Sequence, residues 1–226
     1  MELNQTTRSA IVAAARELMF EKGFEATTMR AIAERAGVSL GNAYYYFAGK
    51  DELIQGFYDE IAAAHQERVR EALGTTRGFG ARLTTSLEIL VDLCDEYAPV
   101  ADALLTRGIQ PTGPLNPFSA ASSRPRALFL ETCTELIEGS RLRTDAELRA
   151  ALPELLWLVH LAVTLAWVQD LSAGKAATRR SVARLGPTLG RLVSMARVPA
   201  LRPFVRMALD QLADVHAARP DWGGAS

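Results

Sequence analysis

Apolar side chains recur at helical spacing from the start of the chain. Positions i, i+3, i+4 and i+7 of one helix face are occupied by Ile11, Ala14, Ala15 and Leu18. Gly23 follows this pattern and is a common type of helix stop. The spacing therefore predicts a first helix that ends near Gly23.

Two shorter apolar patterns come next, and each is preceded by a residue that caps helices well. Thr28 precedes a pattern that ends at Gly37, and Ser39 precedes one that ends at Phe47. Two short helices joined by a tight turn that contains glycine form a helix-turn-helix. The pattern predicts this motif over the second and third helices.

A longer apolar pattern runs from Asp51 to about Leu73 and predicts a fourth, longer helix. We place a domain boundary on the way into this helix. The resulting domains are 1–52, with three helices, and 53–226, which is larger and also helical. The predicted fold class is all-α.

The second domain contains further helical patterns over 79–97, 126–138 and 204–217. Between the first two lies a stretch rich in proline, which cannot be one continuous helix. A long connection of this kind serves either as a binding lid or as a plain surface loop, and the sequence leaves both open.

The segment PELLWLVHLAVTLAWVQDL, at 153–171, is apolar on nearly all sides and must be covered on more than one. Its longest apolar run, 155–168, is shorter than the roughly 20 residues that cross a bilayer, so we interpret it as a buried helix and expect no membrane partner. One face carries Trp157, His160, Leu161, Thr164 and Trp167; the other carries Leu155, Val159, Ala162 and Ala166.

If one face of this helix covers the interior, the other needs a partner, and a second copy of the chain is the economical choice. A stripe on the next helical segment supports a homodimer; its members include Leu185, Leu189 and Leu192. The Gly186-Pro187 pair in that segment predicts a kink or a late helix start.

Composition limits the possible functions. The formal charge of the 226-residue chain is −1, so a nucleic-acid footprint would have to be local. The two cysteines are isolated, and neither has the spacing of a metal site, so we predict no metal and no cofactor. This cysteine usage and the start MELNQTTRSAI, which lacks the pattern of an export signal, predict a cytoplasmic location.

Three consecutive tyrosines, Tyr44 to Tyr46, stand on the predicted third helix. Successive helical residues point about 100° apart, so at least two of these side chains must lie near solvent. A phenol hydroxyl is a good donor to a phosphate oxygen, and Lys50 adds a cation beside it. Gly41 lets the backbone approach a base edge closely, whereas Phe47 is expected in the core.

The stretch TTMRAIAERAGVSLGNAYYYFAGKDELI closely resembles the N-terminal DNA-binding domain of the TetR family of transcriptional regulators. The resemblance covers residues 8 to about 57. It implies a helix-turn-helix DNA-binding domain followed by a helical domain that binds a small-molecule effector and dimerises through its last two long helices. It also implies a double-stranded DNA operator as partner and, most simply, a repressor.

The resemblance assigns roles to particular residues. Thr28 caps its helix at a phosphate, and Arg30 reaches a base or the backbone. Base edges in the major groove face Ser39, Leu40, Gly41 and Asn42, and phosphates are held by Tyr44, Tyr45, Tyr46 and Lys50. Two positions depart from the common pattern: Leu40 replaces a polar or basic residue, and Tyr46 replaces a histidine.

The candidate effector-binding residues are mostly apolar, with a few polar side chains among them. The candidates are Cys94, Phe129, Cys133, Trp157, His160, Thr164 and Trp167. Such a lining suits a mostly apolar, ring-containing molecule. Arg107 would accommodate an anionic group if it turned inward. The same residues would equally serve as a packed core, with His160 neutral and bonded to a backbone carbonyl.

Two other functions remain open at the level of sequence. One is an enzyme that uses His160 with Cys94 or Cys133 as nucleophile, although the three histidines are scattered along the chain. The other is a protein-binding module whose tyrosines are buried. The stretch 171–209 carries cations from Lys175 to Arg206 and no acid, and it forms either a solvated face or a second nucleic-acid surface.

Overall fold

A computed structural model describes residues 2–108, 110, 113, 115–195, 207 and 210 of the chain. Every regular element in these residues is helical, which confirms the all-α prediction. The longer helices are α1 Glu2–Ala26, α2 Met29–Arg35, α3 Leu40–Tyr46, α4 Lys50–Leu73, α5 Phe79–Glu96, α6 Ala98–Gly108, α7 Ser123–Glu138, α8 Ala146–Gln169 and α9 Ala176–Met195. The helix predicted over 204–217 lies outside the described residues.

The residues form two compact units. The first unit contains 1–61 and 95–122, and the second contains 62–94 and 123–226. Helix α6 therefore belongs to the same unit as the helix-turn-helix, although it is distant in sequence. The predicted division at 52/53 was based on the helix-turn-helix pattern alone and stays a prediction.

The glycine that was expected to stop the first helix breaks its backbone three residues before the end of α1. Gly23 has φ +82° and ψ 165°, which interrupts the helical backbone of α1. Thr27, just behind it, is fully buried, and its hydroxyl donates to the Gly23 carbonyl over 2.8 Å. The chain thereby turns sharply into α2.

The core of the first unit joins helices α1 to α4 with α6. Ile11, Met19, Ile32, Phe47 and Phe57 are each at most 1% exposed. The same cluster includes Tyr97, Val100, Ala103 and Leu115 from the segment after α5. Burial of apolar surface on this scale is the main force that holds α6 against α1.

Helix α6 was not predicted. The prolines of this stretch were interpreted as a loop or lid, but Pro99 lies in the first turn of α6, where a missing backbone N–H breaks no helical hydrogen bond. The rest of the stretch is irregular where it is described, apart from a 3₁₀ turn at Ala120–Ser122.

Helices α8 and α9 are both longer than their apolar patterns. Asp145 caps α8 with a 2.8 Å hydrogen bond from the Leu148 amide, so the helix begins well before Pro153. By length and composition α8, with 24 residues, is the one helix in the described part of the chain that is able to cross a membrane, and a third of its most apolar window is buried. Helix α9 starts at Ala176, which excludes a late start at Pro187.

Candidate functional site

The helix-turn-helix is built from two local caps. The Thr28 hydroxyl accepts a hydrogen bond from the Ala31 amide over 3.2 Å, and the Ser39 hydroxyl accepts one from the Asn42 amide over 3.1 Å. Gly37, in the turn between the helices, has φ +70°, a conformation that favours glycine. Both predicted caps are confirmed, and together they fix where α2 ends and α3 begins.

Helix α3 has one buried side and one exposed side. Ala43 is fully buried, and Phe47, which follows the helix, is 1% exposed. On the other side, Gly41 and Asn42 are exposed, as are the rings of Tyr44 at 51% and Tyr45 at 76%. A row of exposed polar side chains along a firmly anchored helix is what a major-groove reader requires. The alternative with buried tyrosines is wrong.

The other candidates near α3 differ in exposure. Arg30 and Ser39 are exposed, whereas Leu40 and Tyr46 are partly buried. The Tyr46 ring stands edge-on to the Tyr45 ring, with 5.2 Å between the ring centres. Tyr46 therefore packs its ring against that of its neighbour.

Lys50 is the first residue of α4 rather than a residue between helices. Its ammonium donates to the Phe24 carbonyl over 2.8 Å and to the Glu25 carbonyl over 3.5 Å, and lies 4.2 Å from the centre of the Phe24 ring. A lysine ammonium has three donors, so one remains for a phosphate. The sequence did not predict these contacts, because Lys50 binds carbonyls near the end of α1 and no local pattern reveals a contact over that distance in the chain.

Much of the positive charge in this unit is already paired. Arg35 binds the carboxylates of Glu17 and Glu21, and its guanidinium keeps the pKa of Glu21 below its usual range. Arg8 lies over the Phe47 ring, 4.9 Å from its centre. Arg30 forms no hydrogen bond or ion pair with any described residue, so its guanidinium is available to an external anion.

The candidate effector residues occupy the second unit, and most are buried. Phe129, Cys133, Trp157, His160 and Trp167 are each at most 5% exposed. Cys94 and Thr164 are partly buried, and the Thr164 hydroxyl donates to the His160 carbonyl of its own helix. Trp157, His160 and Trp167, which the sequence placed on one face of α8, are buried together, and their role as effector ligands stays a prediction.

Two histidines that are far apart in sequence meet in this cluster. The ring centres of His65 and His160 lie 5.3 Å apart, and Phe129 contacts both rings at 5.1 and 6.0 Å. Sequence reasoning treated the histidines as scattered. The signal that was missed is the spacing of Phe57, Ile61 and His65, which extends the apolar stripe of α4 by one more turn.

The hydrogen bonds fix the tautomer of each ring. His160 Nδ1 lies 2.6 Å from the Leu156 carbonyl, so Nδ1–H donates and Nε2 accepts from the Ser86 hydroxyl at 3.1 Å. His65 Nε2 lies 3.0 Å from the Ser86 carbonyl and therefore donates to it. His65 Nδ1 is left as a buried acceptor with no hydrogen-bond partner among the described residues.

Burial keeps these rings neutral. It lowers the pKa of His160 to about 4, and burial together with the charge of His160 lowers the pKa of His65 to about 3. Burial also raises the pKa of the Cys133 thiol to about 12. A thiol that stays protonated at neutral pH is a poor nucleophile, which argues against the enzyme alternative.

Arg107 is held by side chains of the first unit. On α6 it pairs with the Asp51 carboxylate over 2.5 Å and with Glu25 over 3.6 Å. Its guanidinium also lies over the Phe24 ring, 4.0 Å from the centre. The proposed contact with an anionic group of the effector is therefore wrong: two carboxylates of the first unit already hold this side chain.

The outward face of α8 is apolar and accessible. Ala162 and Ala166 are exposed, Leu155 and Val159 are partly buried, and Leu165, which was not singled out from the sequence, is 49% exposed. On α9, Leu185 and Leu189 are partly buried and Leu192 is 55% exposed. These are the exposures expected of a face that a further element covers.

Comparison with known families gives two matches. Residues 11–56 match the family described as bacterial regulatory proteins, tetR family, and residues 82–210 match the tetracyclin repressor-like C-terminal domain. The second match alone covers more than half of the chain. The helix-turn-helix and the helical second domain thus have counterparts in one family.

Individual relatives agree. HTH-type transcriptional repressor KstR2 of Mycobacterium tuberculosis is 38% identical over 144 residues, 62% of this chain and 71% of that protein. KstR2 of Rhodococcus jostii is 34% identical over 87 residues, 37% of this chain and 43% of the relative, so this match spans less than half of the relative's length.

A solved structure shares the fold. FadR of Thermus thermophilus, a TetR-family transcriptional repressor in complex with lauroyl-CoA, has a TM-score of 0.61 and 25% identity, over 79% of this chain and 92% of that chain. The two family matches, the relatives named as repressors and the common helical fold show that this chain is a member of the TetR family of DNA-binding transcriptional regulators and not an enzyme.

Proposed function

We propose that the chain is a repressor that binds a palindromic DNA operator as a homodimer and leaves it when a small, mostly apolar effector binds. The observation that carries this proposal is the exposed side of α3, where Gly41, Asn42, Tyr44 and Tyr45 face solvent above a buried Ala43. Operator binding and effector release take place in the cytoplasm.

The first turn of α3 reads bases, and its second turn holds the DNA backbone. Ser39, Leu40, Gly41 and Asn42 stand at the start of the helix, where a recognition helix contacts base edges. Leu40 offers an apolar contact, which suits a thymine methyl group. The phosphate ligands are Thr28, Arg30, Lys50 and the three tyrosines, which position the protein without reading sequence.

A dimer supplies the second recognition helix. The accessible faces of α8 and α9, with Ala162, Ala166 and Leu192, pair with the same faces of a second copy. The dimer binds a palindrome when its two copies of α3 lie one groove repeat apart, roughly 34 Å or a multiple of it. Effector binding favours a different spacing, and a coupling of about 1–3 kcal/mol lowers operator affinity about 5–150-fold.

The effector occupies the buried cluster of the second unit. Trp157, Trp167 and Phe129 provide apolar contacts. His65 Nδ1, the buried acceptor without a partner, receives a hydroxyl or N–H group of the effector. The complex of FadR with lauroyl-CoA supports a small-molecule effector for this chain as well.

Two experiments test the proposal. A gel shift with the DNA upstream of the chain's own gene should give a specific complex, and absence of a specific complex with any palindrome there would contradict the repressor. A thermal-shift screen should then find ring compounds that raise the unfolding temperature and release this DNA, since a ligand of the folded state stabilises it by mass action. If only polar metabolites do so, the apolar effector is wrong while the repressor stands.

A further inference from the structure

A groove lies at the surface of the second unit, between the start of α5, the segment after α7 and the second half of α9. Its volume is about 680 Å³, within the range of small-molecule sites. Its walls combine three arginines with apolar side chains: Arg77, Arg141, Arg191, Phe79, Leu142 and Met195. None of these residues belongs to the candidate effector cluster.

The fold brings the three arginines together from distant parts of the sequence. The Arg141 amide donates to the Arg77 carbonyl over 2.9 Å, which ties the segment after α7 to the one before α5. Helices α5 and α9 meet so closely that a Cβ on Gly190 would lie 3.1 Å from the Gly80 Cα. Because this contact is backbone to backbone, Arg191 is held beside the start of α5.

The charge in the groove is one-sided. No carboxylate lines it among the described residues, and within the same residues neither Arg141 nor Arg191 forms an ion pair. Arg77 makes one long hydrogen bond, 3.4 Å, to the Gly139 carbonyl. Arg82 of α5, which is buried, donates to the carbonyls of Thr76, Glu135 and Leu136 rather than to a carboxylate.

The geometry points to a binding site for an amphipathic organic anion, with a phosphate or carboxylate held by Arg77, Arg141 and Arg191 and an apolar part against Phe79, Leu142 and Met195. Guanidinium groups bind such anions through paired, charge-assisted hydrogen bonds. Gly78, Phe79 and Gly80, at the N-terminus of α5, also line the groove, and the amides of a helix's first turn lack partners within their own helix. The occupant is a small molecule rather than nucleic acid, because apolar walls contribute nothing to a phosphate backbone.

Octyl phosphate is a suitable probe, because it joins an apolar chain to a phosphate. Octanol and inorganic phosphate, which each carry only one of these parts, serve as control ligands. Titration calorimetry on the full chain should show that octyl phosphate binds more tightly than either control ligand. The R77Q/R141Q/R191Q variant should lose about tenfold or more in affinity, since even one charged hydrogen bond is worth about that factor. The matched control R143Q/R180Q/R184Q, which removes three exposed arginines outside the groove, should bind as the parent does.

The remaining outcomes each decide against the site. Equal loss in both triple variants would mean that only net charge matters. If inorganic phosphate bound as tightly as octyl phosphate, the apolar walls would contribute nothing to binding. An unchanged affinity of M195Q for octyl phosphate would lead to the same conclusion. Absence of binding by octyl phosphate to a folded parent, checked by circular dichroism, would overturn the proposal entirely.

Discussion

The guanidinium of Arg107 lies 4.0 Å from the centre of the Phe24 ring and binds the Asp51 carboxylate. Arg107 is on α6, Phe24 is near the end of α1, and Asp51 is in the first turn of α4. One side chain thus links three helices of the unit that carries the helix-turn-helix. Lys50 contacts the same ring from α4, at 4.2 Å.

We expect Arg107→Ala to destabilise this unit. The loss combines a cation–π contact with an ion pair that is partly exposed, which together are worth about 1 kcal/mol. Urea unfolding measures the change. Arg107→Lys keeps the charge but loses the planar group, so its free energy of unfolding should lie between those of the parent and of Arg107→Ala. Arg180→Ala, at an exposed position in the second unit, should leave the free energy of unfolding unchanged. If R107A unfolded at the same urea concentration as the parent, apolar contacts alone would hold α6 in place.

Replacement of Tyr44 and Tyr45 by phenylalanine should weaken binding to every DNA sequence. Both rings are exposed and their hydroxyls are proposed phosphate donors, so each lost hydrogen bond to a charged acceptor costs roughly 1.5 kcal/mol or more. Affinities for the operator and for an unrelated duplex, measured at one salt concentration, should fall by similar factors. A fall at the operator alone would instead make the tyrosines base readers.

If the proposed dimer forms through α8 and α9, Ala162→Glu combined with Ala166→Glu should convert it to monomers. Each glutamate would place an unpaired charge in the apolar interface proposed on α8. Sedimentation of the variant gives the oligomeric state. The control A150E/A183E adds the same charge at exposed positions of α8 and α9 and should stay dimeric. A dimer that survives in the first variant places the interface elsewhere.

Stability should fall as the pH drops below about 6.5. The pKa values of His65 and His160 are lowered in the folded state, to about 3 and about 4, so between these values and 6.5 the unfolded chain binds more protons than the folded one. In this range each histidine lowers the free energy of unfolding by about 1.4 kcal/mol for each pH unit of acidification, and the effect vanishes above pH 7.

Urea unfolding at pH 7.5, 6.0 and 5.0 checks this dependence. The comparison is the H65Q/H160Q variant, whose side chains do not titrate. The free energy of unfolding of this variant will differ from that of the parent at every pH. Its change with pH should be smaller than that of the parent, by the sum of the contributions of the two histidines. Equal slopes would show that other groups cause the acid sensitivity.

The sequence by itself determined the elements whose signals are local. The caps at Thr28 and Ser39, the turn at Gly37 and the exposure of two of three tyrosines all depend on neighbours within a few residues, where helical geometry leaves little choice. The two faces of α8 were predictable for the same reason. Periodicity put Trp157 and Ala162 on different faces, and only the fold showed that the face with Trp157 is the buried one.

The tertiary structure decided which distant residues meet. The pairing of His65 with His160, the position of Arg107 over Phe24, and the membership of α6 in the first unit all join segments far apart in the chain. Such contacts depend on how helices pack, and packing is set by the shape of many buried side chains together rather than by any short pattern. For that reason the sequence suggested only a possible effector contact for Arg107, whereas in the fold its side chain links three helices.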